Sequence, residues 1–449
     1  MDSDCLSQTR KEGIFLLNIA QVQTNFEREP LKHPFGFKGG ALTEIWQCAC
    51  HVTDEDGVTG TGIGCQNVLW SDAAVFASGS PAAGASMMYA ITDYAARLLA
   101  GKQFANPFEA LDAILPECLR YGRQVTRRED MRTTFVLNAL VPVDMALWQL
   151  YERKGGHKGF DAIVPPEAKP WLSKQYNRLQ IIPLVSYGVT AQEARALAQE
   201  GYFFLKIKLG SDPDKDGDQE KMLAWDMQRI TQIHQAVDDI RTPWTDSGHI
   251  AYYFDCNGRY DSVNRVRRLL EHADRVGALR HTVVLEEPLA ESDLSPVGSL
   301  PVMVAADESA HSPEDVRQRL ALGYRAIALK PIAKTMSVTF RMIEEAGKAN
   351  AAFFCADLTV GPLQADVNKC FAARLNCLPG LKLPVMESNG WQNYSRWEQM
   401  RAALPDPHAA WTQMTGGGVE LSGGFYEKSA NIFERLPHYE KLANGGMEP

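Results

Sequence analysis

The chain has 449 residues, 45% apolar and 22% charged, the balance of a folded globular chain with a large core and room for more than one domain. Its formal net charge of −9, with acids and bases interspersed and no basic block, argues against nucleic acid as a partner. The apolar run 14–20 is broken by Asn18 and is too short to span a bilayer, and the nine cysteines lack paired metal-ligand spacing. These features point to a cytoplasmic protein that avoids membranes and keeps its thiols reduced, with Cys48 and Cys50 buried along a strand.

Residues 13–51 read as strands, and a polar turn at 52–57 separates 45–52 from 60–64 in a hairpin. Residues 73–151 turn helical, with Leu140, Val143, Leu147 and Tyr151 at helical spacing, while 77–85 reads as a small-residue loop. After a connection at 158–179 the rhythm changes to short apolar strands alternating with amphipathic helices. The expected strands are 181–186, 203–208, 251–255, 282–286, 302–306, 326–329, 352–356 and 383–386, the number that closes a (β/α)8 TIM-like barrel. Ser312, Pro313 and Asp315 mark a helix start after the fifth strand. Residues 415–449 return to glycine and strand character. The expected organisation is α/β: an N-terminal α+β capping domain at 1–150, the barrel at 151–414, and a C-terminal segment at 415–449 that returns to the cap.

Barrel enzymes carry their chemistry at the C-terminal ends of the strands. In Phe203-Phe-Leu-Lys-Ile-Lys-Leu209 the two lysines share one strand face, and inward ammonium groups demand partners. Asp255, Glu286 and Asp307 end successive strands in Tyr252-Tyr-Phe-Asp-Cys-Asn257, Val283-Val-Leu-Glu-Glu-Pro288 and Val304-Ala-Ala-Asp-Glu-Ser309. Their mutual repulsion calls for a cation, and an oxygen-only ligand set suits Mg2+, leaving Glu287 and Glu308 in supporting places. Lys330 ends the next strand and can face Lys208 across the cavity. Asn257 is a further substrate-binding candidate. Asp357 and Glu387 either bind substrate or hold the rim. Phe35, in the loop 33–39, and Trp70, in 64–70, either form a substrate-selecting lid or pack the domain interface.

The Lys-x-Lys strand, the three strand-end acids and the sixth-strand lysine, in this order, resemble the enolase superfamily and its muconate-lactonizing subgroup. Val143-Asp-Met-Ala-Leu-Trp148 and Ala306-Asp-Glu-Ser-Ala-His-Ser-Pro-Glu-Asp315 are similar to other marks of that family. The resemblance implies a cap that chooses a small-molecule carboxylate and a homo-oligomeric enzyme. It also implies Lys206 as electrostatic support, with Lys208 and Lys330 addressing opposite faces of the carbon next to the carboxylate. Racemisation or epimerisation through an enediolate is the simplest outcome; dehydration or cycloisomerisation uses the same intermediate. A Schiff-base aldolase on Lys330 is a rival that the three acids disfavour.

The chain also departs from its relatives. Val385-Met-Glu-Ser-Asn389 stands where dipeptide epimerases show Asp-x-Asp, and Thr335-Met336 where the family shows Gly-Gly. Phe353-Phe-Cys-Ala-Asp357 lacks the histidine of a His-Asp base.

Overall fold

The computed structural model describes residues 15–37 and 40–446. Gly13 and Ile14, from the expected opening strand, and Lys38 and Gly39, from the expected cap loop, lie outside them. Strands β1 (Leu17–Phe37), β2 (Gly40–Asp54), β3 (Thr59–Gln66) and β4 (Gln103–Phe104) form an antiparallel sheet in the order β3-β2-β1-β4. The β1–β2 register slips between Pro30 and Phe35. Two prolines there, Pro30 and Pro34, have no N–H to give the ladder. The hairpin between β2 and β3 turns at Gly57, whose φ of 79° lies in the left-handed region glycine tolerates.

Helices Pro81–Leu99, Pro107–Thr126 and Thr133–Gly155 complete the cap. The first begins inside the stretch expected to be a loop: Ser80 accepts the Ala83 N–H at 3.2 Å, and Pro81 takes the first helical position. This cap outweighs the small-residue composition that suggested a loop. Thr133–Gly155 is long and apolar enough to cross a membrane, but almost all of it is buried inside the protein, as a core helix is. It lies directly on β3. A Cβ at Gly60 would fall 2.1 Å from the Ala146 carbonyl oxygen, and one at Gly62 would fall 2.0 Å from that of Pro142. Alternate glycines on one strand face therefore let strand and helix backbones touch.

The second sheet holds β5 (Arg178–Ile182), β6 (Leu184–Val185), β7 (Phe204–Lys208), β8 (Ala251–Asp255), β9 (Thr282–Glu286), β10 (Met303–Ala306), β11 (Ala326–Leu329), β12 (Ala352–Cys355), β13 (Val385–Glu387) and β14 (Gly418–Glu420). All pairings from β6 through β13 to β5 are parallel, with helices between successive strands except β9 and β10, so the sheet curls into the expected α/β barrel. The first expected strand, 181–186, is broken at Pro183, which cannot donate to a ladder. Its two halves have different neighbours: β5 pairs with β13 and β6 with β7, so this broken strand closes the ring. Ser312 caps the helix Pro313–Ala321 as its sequence indicates.

The C-terminal segment first joins the barrel, because β14 runs antiparallel along β5. It reaches the cap further on. Gln149 donates to the carbonyls of Ile432 and Glu434, at 3.2 and 2.9 Å, and His438 on the last helix, Pro437–Ala443, meets Glu27 at 3.0 Å.

The contact between β3 and the core helix leaves no space for a side chain. Gly62→Ala is expected to destabilise the protein by about 1–3 kcal/mol, the scale of core overpacking. Thermal unfolding followed by circular dichroism checks this; an unchanged midpoint would show that the helix can move away from the strand freely.

Candidate active site

The barrel strands deliver their last residues to one cavity beneath the cap. Lys206 and Lys208 stand two apart on β7, so both point inward. The Lys206 ammonium is 3% exposed and lies 3.0 Å from Asp255, 2.9 Å from Glu286 and 2.9 Å from Glu387, over the Tyr253 ring at 4.6 Å. Lys208 donates to Asp255 and, at 2.6 Å, to Asn257 Oδ1. Asn257 uses its amide to reach Glu308 at 2.9 Å. Lys330 donates to Asp307 and lies over the Trp70 ring at 4.4 Å.

Around the ring β7 and β11 are four strands apart, so Lys208 and Lys330, which follows β11, line the cavity from opposite sides. Glu286 receives the Tyr253 hydroxyl on Oε2, whereas its buried Oε1 finds no hydrogen-bond partner. The carboxylates of Glu286, Asp307 and Glu308 each offer an oxygen within 4.8 Å of the others.

The metal ligands expected from the sequence were Asp255, Glu286 and Asp307. The structure brings Glu286 and Asp307 together, but Glu308 rather than Asp255 stands third in this group. Asp255 instead takes both β7 lysines on Oδ2 and the Asn257 N–H on Oδ1, at 3.0 Å. Glu287 is structural: its Oε2 accepts the Asp307 and Ser309 N–H groups at 2.7 and 3.2 Å.

Lys334 and Asn67 were missed in the sequence, and Glu308 was expected only in a supporting place. Lys334 is fully buried and donates to the Asp307 carbonyl at 2.7 Å and to its carboxylate at 3.2 Å. Its signal was there: the short helix Pro331–Lys334 sets it one turn beyond Lys330 on the same side. Glu308 looked like a neighbour of the Asp307 motif. Asn67 caps the turn that carries Trp70, accepting the Trp70 N–H at 3.0 Å, and its amide donates to the Leu358 carbonyl at 3.1 Å. It thereby fastens the cap to the barrel rim.

Of the remaining candidates, Phe35 and Trp70 both line the cavity from the cap side. Asp357 and Glu387 line it too, yet they also brace the rim. Glu387 accepts the Asp357 N–H at 3.0 Å, and Asp357 accepts the Asn389 N–H at 2.6 Å. Burial, helped by Glu387, pushes the Asp357 carboxyl up to about 6.

Charge pairing orders the protonation states. Burial opposes ionisation of Asp255, but Lys206 and Lys208 outweigh it and hold this acid well below the usual carboxylate range. Lys330 and Lys334 do the same for Asp307. Burial and then the Asp255 charge push Glu286 well up. Burial also works against the Lys206 ammonium, yet Asp255, Glu286 and Glu387 together raise it well above an ordinary lysine. At Lys334 burial wins, and its pKa falls.

Residues 189–335 match the family model described as Enolase C-terminal domain-like. No curated protein matches the chain. Among solved structures it is similar to a mandelate racemase/muconate lactonizing protein from Herpetosiphon aurantiacus, with 18% identity, TM-score 0.61, and 90% of this chain and 96% of that one covered. It is similar also to the L-Ala-D/L-Glu epimerase from Bacillus subtilis, with 17% identity, TM-score 0.63, and coverage of 91% and 97%. A third is the dipeptide epimerase from Cytophaga hutchinsonii, solved with Mg and the dipeptide D-Ala-L-Val, with 17% identity, TM-score 0.58, and coverage of 83% and 87%. The segment 189–335 thus resembles the C-terminal domain of enolases, and the chain as a whole shares the fold of the mandelate racemase/muconate lactonizing structures.

Removing the Lys206 ammonium leaves three buried acids facing one another. Lys206→Met is expected to lower stability at pH 7 by about 3 kcal/mol or more. Because Asp255 has a depressed folded pKa, its pairing contributes above the unfolded value of about 3.9 and is lost as pH falls below it. The gap between variant and native protein should therefore narrow below about pH 4. Urea unfolding across pH tests this, and a gap that widens in acid would contradict it.

Proposed function

We propose that the protein removes the proton next to the carboxylate of a small substrate, with magnesium, and returns it from the opposite face, so that it racemises or epimerises a carboxylic acid. The observation that carries this reading is the placing of Lys208 and Lys330 on opposite sides of one cavity that also holds a set of buried acids.

The donor set fits magnesium. Glu286, Asp307 and Glu308 offer only hard oxygen atoms, and Glu286 Oε1 is buried without a partner. Glu286 and Asp307 would hold the ion, with Asp255 or Glu308 as the third acid. When bound, the ion supplies positive charge beside the substrate carboxylate, which makes the adjacent carbon a stronger acid. Asp255→Asn against Glu308→Gln identifies the third acid: the one whose loss weakens magnesium binding more is the ligand.

The chain's own residues do the rest. Lys206, held charged among three carboxylates, adds fixed positive charge where negative charge develops. Lys208 and Lys330 exchange protons with the carbon from either side. Trp70 walls the cavity, and its buried indole Nε1–H has no partner among the described residues, so it is available to a substrate acceptor. Beyond Phe35 lies an open basin lined by Lys32, Lys215 and Arg259 against the single acid Asp212. A positively lined approach favours an anionic substrate.

The test is solvent deuterium uptake at the α-carbon across a panel of chiral carboxylic acids. Lys330→Met should block exchange of one enantiomer and Lys208→Met that of the other, each by about a hundredfold or more. Lys206→Met should impair both, and a chelator should stop exchange until magnesium is restored. Exchange of both enantiomers surviving in Lys208→Met would refute the two-sided assignment. Loss of a β-substituent from the product would convert the reading from racemase to lyase.

A further inference from the structure

At the opposite end of the barrel, where strands β8 and β9 begin, three histidines surround one carboxylate oxygen. His234 Nε2, His249 Nδ1 and His281 Nε2 lie 3.8, 3.6 and 3.7 Å from Asp238 Oδ1. Asp238 follows the helix Gln219–Val237 that carries His234, His249 stands in the loop before β8, and His281 ends the turn Leu279–His281 that leads into β9. The ligand-type atoms of Asp238, His249 and His281 all fall within 4.8 Å of one another.

The hydrogen bonds around the cluster decide what its atoms present to one another. His234 Nδ1 meets the Tyr252 hydroxyl at 2.8 Å, which holds the ring in place beside the cluster. Arg280 Nε donates to His281 Nε2 at 3.0 Å, and Arg241 lies 3.0 Å from His249 Nδ1. Guanidinium groups only donate, so His281 Nε2 carries a lone pair, whereas His249 Nδ1 stands between the Arg241 guanidinium and the Asp238 carbonyl, 3.2 Å away. The Asp238 side chain is 41% exposed, but its Oδ1 is shielded from solvent and has no hydrogen-bond partner among the described residues. Asp238 Oδ1, His249 Nδ1 and His281 Nε2 thus converge with the Arg241 and Arg280 guanidinium groups beside them, donor atoms that a divalent cation at the centre can take over from the arginines.

We propose that Asp238, His249 and His281 bind a zinc-class divalent cation that ties the floor of the barrel together. Imidazole nitrogens with one carboxylate favour Zn2+ over the hard ions that oxygen-only acids take. Ligand atoms about 2.0–2.1 Å from a tetrahedral zinc stand about 3.4 Å apart; His249 and His281 lie 3.6 and 3.7 Å from Asp238 Oδ1 and all three ligand atoms lie within 4.8 Å of one another, so a bound ion would draw them inward. Arg280 is 66% exposed at its side chain and Arg241 is also exposed, so both can swing into water as the ion enters. An open cavity lined by His281, Thr282 and Arg280 gives access from solvent. The ion would cross-link one helix end, the loop before β8 and the start of β9.

The experiment uses the full chain, stripped with chelator and then saturated with magnesium so that the acids at the barrel mouth are filled. Titration with zinc alone should show one equivalent bound and a raised unfolding temperature, since an ion that binds only the folded state stabilises it. His249→Ala, at a partly exposed position that leaves the core intact, should weaken zinc binding by roughly tenfold or more, the scale on which perturbed metal sites lose affinity. His281→Ala should do the same. Glu286→Gln with Asp307→Asn should leave the zinc stoichiometry unchanged. Cobalt in place of zinc should give the visible absorption of a tetrahedral site in the native protein and lose it in His249→Ala. No zinc uptake, or uptake that survives His249→Ala and disappears in the mouth variant, would overturn the proposal.

Discussion

Burying several ammonium groups in a protein interior demands an anion for each, and this requirement governs the mouth of the barrel. Lys206, Lys330 and Lys334 are almost wholly removed from water, and the acids that neutralise them come from different strands or the loops that follow. The register of the barrel is what makes the pairing possible. Lys208 stands opposite Asp255 across β7 and β8, and Asp255 opposite Glu286 across β8 and β9. A slip of one residue in any of these strands would turn its charged group to the other face and strand a partner in the interior. Chemistry and fold are thus held by one network, and the same ionic contacts that order the strands set the protonation states of the site.

The cap depends on that network indirectly. Arg132 donates to Glu291 and, at 2.9 Å, to the Glu308 carbonyl, so a cap residue touches the backbone of the acidic cluster. Asp144, on the core helix, accepts the N–H groups of Met336 and Ser337 at 2.9 and 3.2 Å. These contacts explain how Thr335 holds a backbone conformation that glycine adopts more readily. Its φ of 74° is unfavourable for a branched residue, and it is held there by its own hydroxyl, which accepts the Val338 N–H at 3.2 Å, and by the Asp144 carboxylate beyond it. The loop after Lys330 is thus braced by the cap.

The barrel was legible because its strands are short apolar runs that end in charge, a signal carried within a few residues. β7, β8 and β9 and their terminal Lys208, Asp255 and Glu286 needed no knowledge of distant segments. The break at Pro183 was equally local, but its consequence was not, since only closure of the ring gives the two halves different neighbours. The strand Gly418–Glu420 has the composition of a return to the cap, yet it pairs with β5, because an edge is filled by whichever chain passes it. The cluster of Asp238, His249 and His281 was illegible for the same reason: its members come from three segments with no ligand spacing in common.

The sequence by itself determined the alternation of strands and helices, the inward pair Lys206 and Lys208, and the strand-end acids, because pleat and periodicity are properties of neighbouring residues. Tertiary structure alone decided which acid meets which lysine. Asp255, Glu286, Asp307 and Glu308 are equivalent as isolated carboxylates, and only the curvature of the closed sheet turns Glu308 toward Glu286 and Asp307 while Asp255 faces the lysines of β7. Electrostatic partnership acts over a few ångströms in space, and separation along the chain carries no record of it.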